Sequence, residues 1–125
     1  MIYLDSHLVV WLYQKEFSLI SRKAIYILEN NELSISPIVI LELEYLYEVG
    51  RIKEHAQIII DYLSLKVGLQ TSNDDFNKVI NAAINERWTR DPFDRIITAH
   101  ARCNDAVLIT KDIIIQNNYP KAVWS

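Results

Sequence analysis

Apolar residues fall along this chain in two kinds of segment. Short continuous runs alternate with longer stretches in which apolar positions recur every three or four residues. Ile2–Leu4 is a short run that stops at Asp5, and it reads as a buried strand. His7–Lys15 and Ser21–Asn31 carry helical spacing, with Ala24, Ile25 and Leu28 on one face. Leu33–Ser36 is short again and reads as a strand. Pro37 then suits the first position of a helix, with Ser36 as its N-cap, and Gly50 suits the stop. A helix is expected over Lys53–Leu65, a short strand over Val67–Gln70 and a helix over Asn73–Asn85. Asp74 and Asp75 are placed in the first turn of that helix, where its dipole favours acids. Asp91-Pro92-Phe93-Asp94 opens a further helix running to about Asn104. Ala106–Thr110 is β-branched and strand-like, Ile113–Asn117 is a short helical turn, and Ala122–Trp124 is a last strand. Strands alternating with helices imply an α/β fold, with a mostly parallel central sheet of four to five strands flanked by helices on both faces.

Composition narrows this reading. The 125 residues suffice for a single domain, expected to span 1–125, and no Pro-, Gly- or Ser-rich linker or internal repeat divides them. Half the residues are apolar and no apolar run approaches the ~20 needed to cross a membrane, so no membrane association is expected. The two glycines, Gly50 and Gly68, cannot build a glycine-rich phosphate loop. The single cysteine, Cys103, excludes an internal disulfide and a cysteine-based zinc cluster, and it reads as a buried small residue in a cytoplasmic protein. No secretory leader is expected from the opening Met1-Ile2-Tyr3-Leu4-Asp5. A net charge of −3 argues against a general nucleic-acid coat. It leaves open an enzyme that meets phosphate through bound metal.

In an open parallel sheet, ligands collect beyond the carboxyl ends of the strands. Asp5 follows the first strand there, and Asp112 lies just past Thr110 at the end of a later one. Glu42 stands about one and a half turns into the helix after the second strand, and Asp94 lies in the first turn of its helix. Four acids from distant segments can converge at one rim. Converging carboxylates repel, so the arrangement calls for a hard cation with oxygen ligands, Mg²⁺ with Mn²⁺ as a substitute. Such a site suits phosphodiester hydrolysis. Other residues read more plainly. Asp91 before Pro92 is an N-cap, Glu44 and Glu48 are exposed helical acids, and Arg95 and Lys111 are surface charges or partners of the acids. His7, His55 and His100 lack ligand spacing and read as non-catalytic. Trp11, Tyr13, Tyr45 and Tyr47 read as core, or as an interface if exposed together.

Four segments carry a family resemblance. Ile2-Tyr3-Leu4-Asp5-Ser6-His7 resembles the opening of PIN-domain proteins, especially VapC-type toxin ribonucleases of toxin–antitoxin pairs. Ile35-Ser36-Pro37 with Leu41-Glu42-Leu43 resembles their second acidic motif. Arg90-Asp91-Pro92-Phe93-Asp94-Arg95 resembles the third, and Leu108-Ile109-Thr110-Lys111-Asp112 the fourth. The closing Ala122-Val123-Trp124 is similar to the end of one subgroup. The four motifs occur in order over nearly the whole chain, and Asp-Pro-Phe-Asp-Arg is the most specific. Residues 50–73 match no motif, and Asn117-Asn118-Tyr119-Pro120 adds no acid.

The resemblance implies a PIN-like three-layer fold and a Mg²⁺- or Mn²⁺-dependent RNA endonuclease. It also implies a cognate antitoxin protein and a homodimer whose joined surfaces make an RNA groove. By position, Asp5, Glu42, Asp94 and Asp112 form the acidic set. Asp5 and Asp94 would be direct metal ligands. Glu42 would bind metal or orient its water, and Asp112 would serve a second metal or act through water. Ser6 and Thr110 would hold waters or ligand rotamers around them. Two other classes remain: a PIN-like RNA-binding or assembly module without turnover, and a Mg²⁺-dependent phosphoacceptor receiver domain using Lys111. The receiver needs an acidic pair after its first strand and an Asp after the middle strand, and this chain offers only Asp5-Ser6 and no acid from Val67 to Ser72.

Overall fold

The computed structural model describes residues 1–125. The strands are β1 (Ile2–Leu4), β2 (Leu33–Ile35), β3 (Gln70–Thr71), β4 (Val107–Ile109) and β5 (Ala122–Val123). The helices are α1 (Ser6–Tyr13), α2 (Arg22–Glu29), α3 (Pro37–Glu48), α4 (Ala56–Val67), α5 (Phe76–Ala83), α6 (Pro92–Cys103) and α7 (Ile113–Asn118). All five strands are parallel, in the spatial order β3-β2-β1-β4-β5. The expected mostly parallel sheet is therefore wholly parallel. A receiver domain follows the order 2-1-3-4-5, so the topology counts against that alternative.

β1 occupies the centre, with Ile2 opposite both Leu33 and Val107 and Leu4 opposite Ile109. Successive side chains of a strand point to opposite faces. Tyr3 and Leu4 are each only 1% exposed, so both faces of the sheet are covered and the fold has three layers. Val9, Ile35, Val39, Leu43, Ile59, Leu108, Ile109 and Ile115 complete the centre of one continuous core.

Helix starts follow from single polar residues. Side chains of Asp5, Ser21, Ser36, Asp75, Asp91 and Asp112 accept from the first free backbone amides of α1, α2, α3, α5, α6 and α7. At α4 the cap comes from elsewhere. Glu44 of α3 accepts from the Ala56 amide at 3.0 Å and meets His55 Nδ1 at 2.9 Å. Glu44 is thus a link between α3 and α4 rather than a free surface acid, and these contacts hold its carboxyl below the usual range.

The third strand differs from expectation. Helical structure continues through Val67 and ends at Gly68 in the left-handed conformation, φ +69°, so β3 begins only at Gln70. The helix expected from Asn73 starts at Phe76, because Asp75 is its cap and Asp74 turns away to other partners. Cys103 is half-buried rather than fully so. Tyr45 is 50% exposed and lies beside the Phe93 ring instead of in the core. No helix is long and apolar enough to cross a membrane.

Candidate active site

The parallel sheet brings the ends of β1 and β4 side by side, and four acids at helix starts, Asp5, Asp91, Asp94 and Asp112, line one cleft there. Asp5 leaves β1 with its amide bonded to the Ile109 carbonyl of β4 at 3.1 Å. Its carboxylate is fixed on both oxygens: Oδ1 accepts from the Ser6 amide at 2.7 Å and Oδ2 from Thr110 Oγ1 at 2.6 Å. Thr110 Oγ1 also accepts from the Asp112 amide at 3.0 Å, so one hydroxyl positions both strand-end acids. Asp112 Oδ1 caps α7 through the Ile114 and Ile115 amides at 2.8 and 3.2 Å. Ser6 Oγ donates to Glu42 Oε1 at 2.5 Å and draws α3 toward α1. Asp94 sits half-buried in the first turn of α6, behind Asp91, whose Oδ1 accepts from the Phe93 and Asp94 amides.

These residues line one cleft of about 470 Å³, bounded by Asp5, His7, Trp11, Glu42, Asp91, Asp94, Lys111 and Asp112. All four acids expected from the sequence are there. Five of its eight lining residues are carboxylates, and Lys111 is the lysine that faces them, with its ammonium 5.8 Å from the Trp11 ring. The acids feel one another. Burial, followed by the charges of Asp5, Asp91, Asp112 and Glu42, raises the Asp94 carboxyl to about 7. Burial raises Asp5 and Glu42 as well, against the lowering effect of the hydrogen bonds from Thr110 and Ser6 to Asp5 and from Ser6 to Glu42.

A donor set dominated by carboxylate oxygens, with the His7 imidazole at its border and no sulfur, fits a hard divalent cation such as Mg²⁺ or Mn²⁺. The carboxylates face a shared space without being drawn together into a ready-made ligand group. The sequence favours Asp91 as a cap over a direct metal contact, and in the fold it caps α6 while its charge also acts on Asp94 and Glu42. Its position three residues before Asp94 was the available signal. His7 and Trp11, successive on one face of α1, also border the cleft.

Comparison with known proteins gives the family. The PIN domain pattern matches residues 2–119. The chain belongs to the PIN-domain family. Among solved structures, the fold of this PIN domain is similar to VapBC2 from Rickettsia felis bound to a promoter DNA fragment, with a TM-score of 0.71, 24% identity and 100% of both chains covered. A toxin–antitoxin complex from Klebsiella pneumoniae gives a TM-score of 0.68 at 19% identity, covering 98% of this chain and 96% of that one. VapBC-1 from nontypeable Haemophilus influenzae gives 0.63 at 21% identity, covering 100% of this PIN domain and 97% of that chain. No curated protein sequence matches it significantly.

Proposed function

We propose that this PIN domain, residues 1–125 acting as one unit, is a Mg²⁺- or Mn²⁺-dependent RNA endonuclease. In this reading it is the VapC-type toxin of a toxin–antitoxin pair and works in the cytoplasm. The observation that carries the reading is the convergence of Asp5, Glu42, Asp94 and Asp112 on one cleft at the strand-end rim, with Asp94 raised to about 7 by burial and by its neighbours. A divalent cation bound there would lower the pKa of an attacking water and stabilise charge on a phosphoryl oxygen. Asp5 and Asp94 would hold it, with Glu42 and Asp112 as further ligands or as acceptors for its waters.

The chain's own residues do the rest. Ser6 and Thr110 fix the Asp5 and Glu42 carboxylates in single orientations, so little reorganisation is left for the reaction. Lys111 sits at the cleft mouth where a phosphate would enter and supplies the positive charge that the acids lack. The structural neighbours described as VapBC and toxin–antitoxin complexes support a cognate antitoxin as partner. A homodimer belongs to the same reading, and exposed Tyr45 on α3 and Val49 just past its end offer it apolar surface. The test is cleavage of RNA by antitoxin-free protein with Mn²⁺, with and without chelator. Metal-dependent cleavage is expected. Tight RNA binding without cleavage would instead favour a non-catalytic RNA-binding module.

A further inference from the structure

A second cavity opens on the same rim. It has a volume of about 310 Å³ and lies between the start of α3, α5 and α6. Its walls include Ile38, Leu41, Val79 and Ile96, and its floor is polar. At that floor, buried His100 reaches Ser36 Oγ through Nδ1 at 2.9 Å and Asp74 Oδ2 through Nε2 at 2.8 Å. Ser72 Oγ donates to the same Oδ2 at 3.0 Å and accepts from the Tyr3 hydroxyl at 2.7 Å. Asn104 Nδ2 donates to it at 2.7 Å. Every hydrogen bond that Asp74 receives therefore falls on one oxygen, and Oδ1 is left as an acceptor. The Asn104 amide, with Ser72 and His100, holds the Asp74 carboxyl below its usual range, so it stays ionised. Phe76, 66% exposed, stands at the mouth.

This combination is an apolar-walled cavity whose lining also holds an exposed aromatic ring and a partly exposed carboxylate, held on one oxygen and open on the other. It suits an unstacked nucleobase. Aromatic side chains stack bases whatever their identity, and a carboxylate accepts from an exocyclic amino group. Position supports the same occupant. Ser36 and Ser72 follow β2 and β3, whereas Asp5 and Thr110 follow β1 and β4. The cavity and the acid cleft are thus two strand spacings apart along one rim, roughly 10 Å. A nucleotide next to the one being cut can reach that far.

We propose that this cavity is the base-selecting subsite of the nuclease, taking one flipped-out RNA base close to the cut and preferring bases with an exocyclic amino group. Uracil is disfavoured because its lone N3–H is flanked by two carbonyl oxygens that meet the Asp74 carboxylate. The inference rests on the nuclease reading above, and the experiment separates the two. Wild type, Asp74→Asn and Phe76→Ala are each given a random-sequence RNA pool with Mn²⁺, and the cut ends are sequenced. In parallel, CMP, AMP, GMP and UMP are titrated into metal-free protein and followed by chemical shifts at Phe76 and Ile96.

Wild type is expected to cut with adenine, cytosine or guanine favoured over uracil at one position within two nucleotides of the scissile bond. Asp74→Asn keeps its oxygen for Asn104 and turns the free acceptor into an amide donor. It should lose the discrimination against uracil while still cutting. Phe76→Ala should lower occupancy of the cavity by any base about 10-fold, the scale of one lost stacking contact, and so flatten the cut-site profile because cutting then proceeds with the cavity empty. UMP should shift the cavity signals less than the other three. Cut-site profiles identical in all three proteins would overturn the subsite and leave the nuclease standing. So would a Phe76→Ala protein that merely turns from dimer to monomer with its profile unmoved, which would give this face to a second copy of the chain. If no protein cuts, the nuclease reading fails and the nucleotide titration alone decides. Equal or absent shifts with all four nucleotides would then overturn the subsite.

Discussion

Replacing Asp94 by asparagine should make the metal-free protein more stable, although the side chain lies at the centre of the candidate site. The native carboxyl titrates at about 7 and an unfolded one near 3.8. The folded protein therefore holds a proton that the unfolded chain gives up anywhere between those values. Below the lower value both states are protonated and Asp94 is neutral to stability. As pH rises through the window, stability falls, and above about 7 the full unfavourable contribution is present. At 1.36 kcal/mol per pH unit the interval corresponds to roughly 4 kcal/mol. Asp94 is only half-buried and its neighbours are screened by water, so the contribution is discounted to about 1.5–2 kcal/mol. Asparagine has the same shape and no charge. The assay is thermal or urea unfolding of wild type and Asp94→Asn from pH 4 to pH 8 with chelator present. The two proteins should agree near pH 4, and the variant should melt about 6–8 °C higher at pH 8. Adding Mn²⁺ should then raise the melting temperature of wild type far more than that of the variant. A variant equally or less stable than wild type at pH 8 would refute the idea that the acids are held together against their own repulsion.

Three other outcomes test the remaining parts of the cleft. Asp5→Asn keeps an acceptor for the Ser6 amide, so the protein should stay folded by circular dichroism while metal-dependent cleavage drops on the order of 10²-fold or more. Ser6→Ala releases Glu42 from its hydroxyl partner, and the Mn²⁺ concentration needed for half-maximal cleavage should rise 10- to 100-fold, with unfolding free energy changed by about 1 kcal/mol. Asp91→Ala removes the cap of α6 and should cost about 1 kcal/mol in denaturant unfolding, and Asp91→Asn should restore most of it.

The parts of this molecule that could be read from the sequence are those signalled locally. β1 and β4 are short apolar runs ended by acids or a hydroxyl, and α3 and α6 are announced by a cap followed by proline. Asp5 and Asp112 follow those strands and Glu42 and Asp94 lie on those helices, which is why the acid cleft is legible in the sequence. β3 was placed three residues early because its two residues are both exposed and lack an apolar signature, while Val67 continues the helical spacing of Leu63. The network on His100 left no trace in the sequence. Its partners Ser36, Ser72 and Asp74 lie 64, 28 and 26 residues away, and only the folded sheet brings them together. Asp74 was assigned to a helix start for the same reason, since its tertiary partners outweighed the dipole of α5.

The hydrogen bond from Thr110 to Asp5 joins residues 105 positions apart and sets when the site can exist. β1 is made first but lies at the centre of the sheet, and its neighbour β4 arrives last but one. During synthesis Asp5 has no Thr110 to hold it, and Asp94 and Asp112 have no strand edge against which to gather. At 5–20 residues per second, roughly 5–20 s separate the emergence of the two halves of this contact. Pairing strands so distant in sequence also makes folding slow compared with a helical chain of equal length. A nascent chain on the ribosome therefore carries no assembled acid cleft until Thr110 and Asp112 have emerged and β4 has docked beside β1.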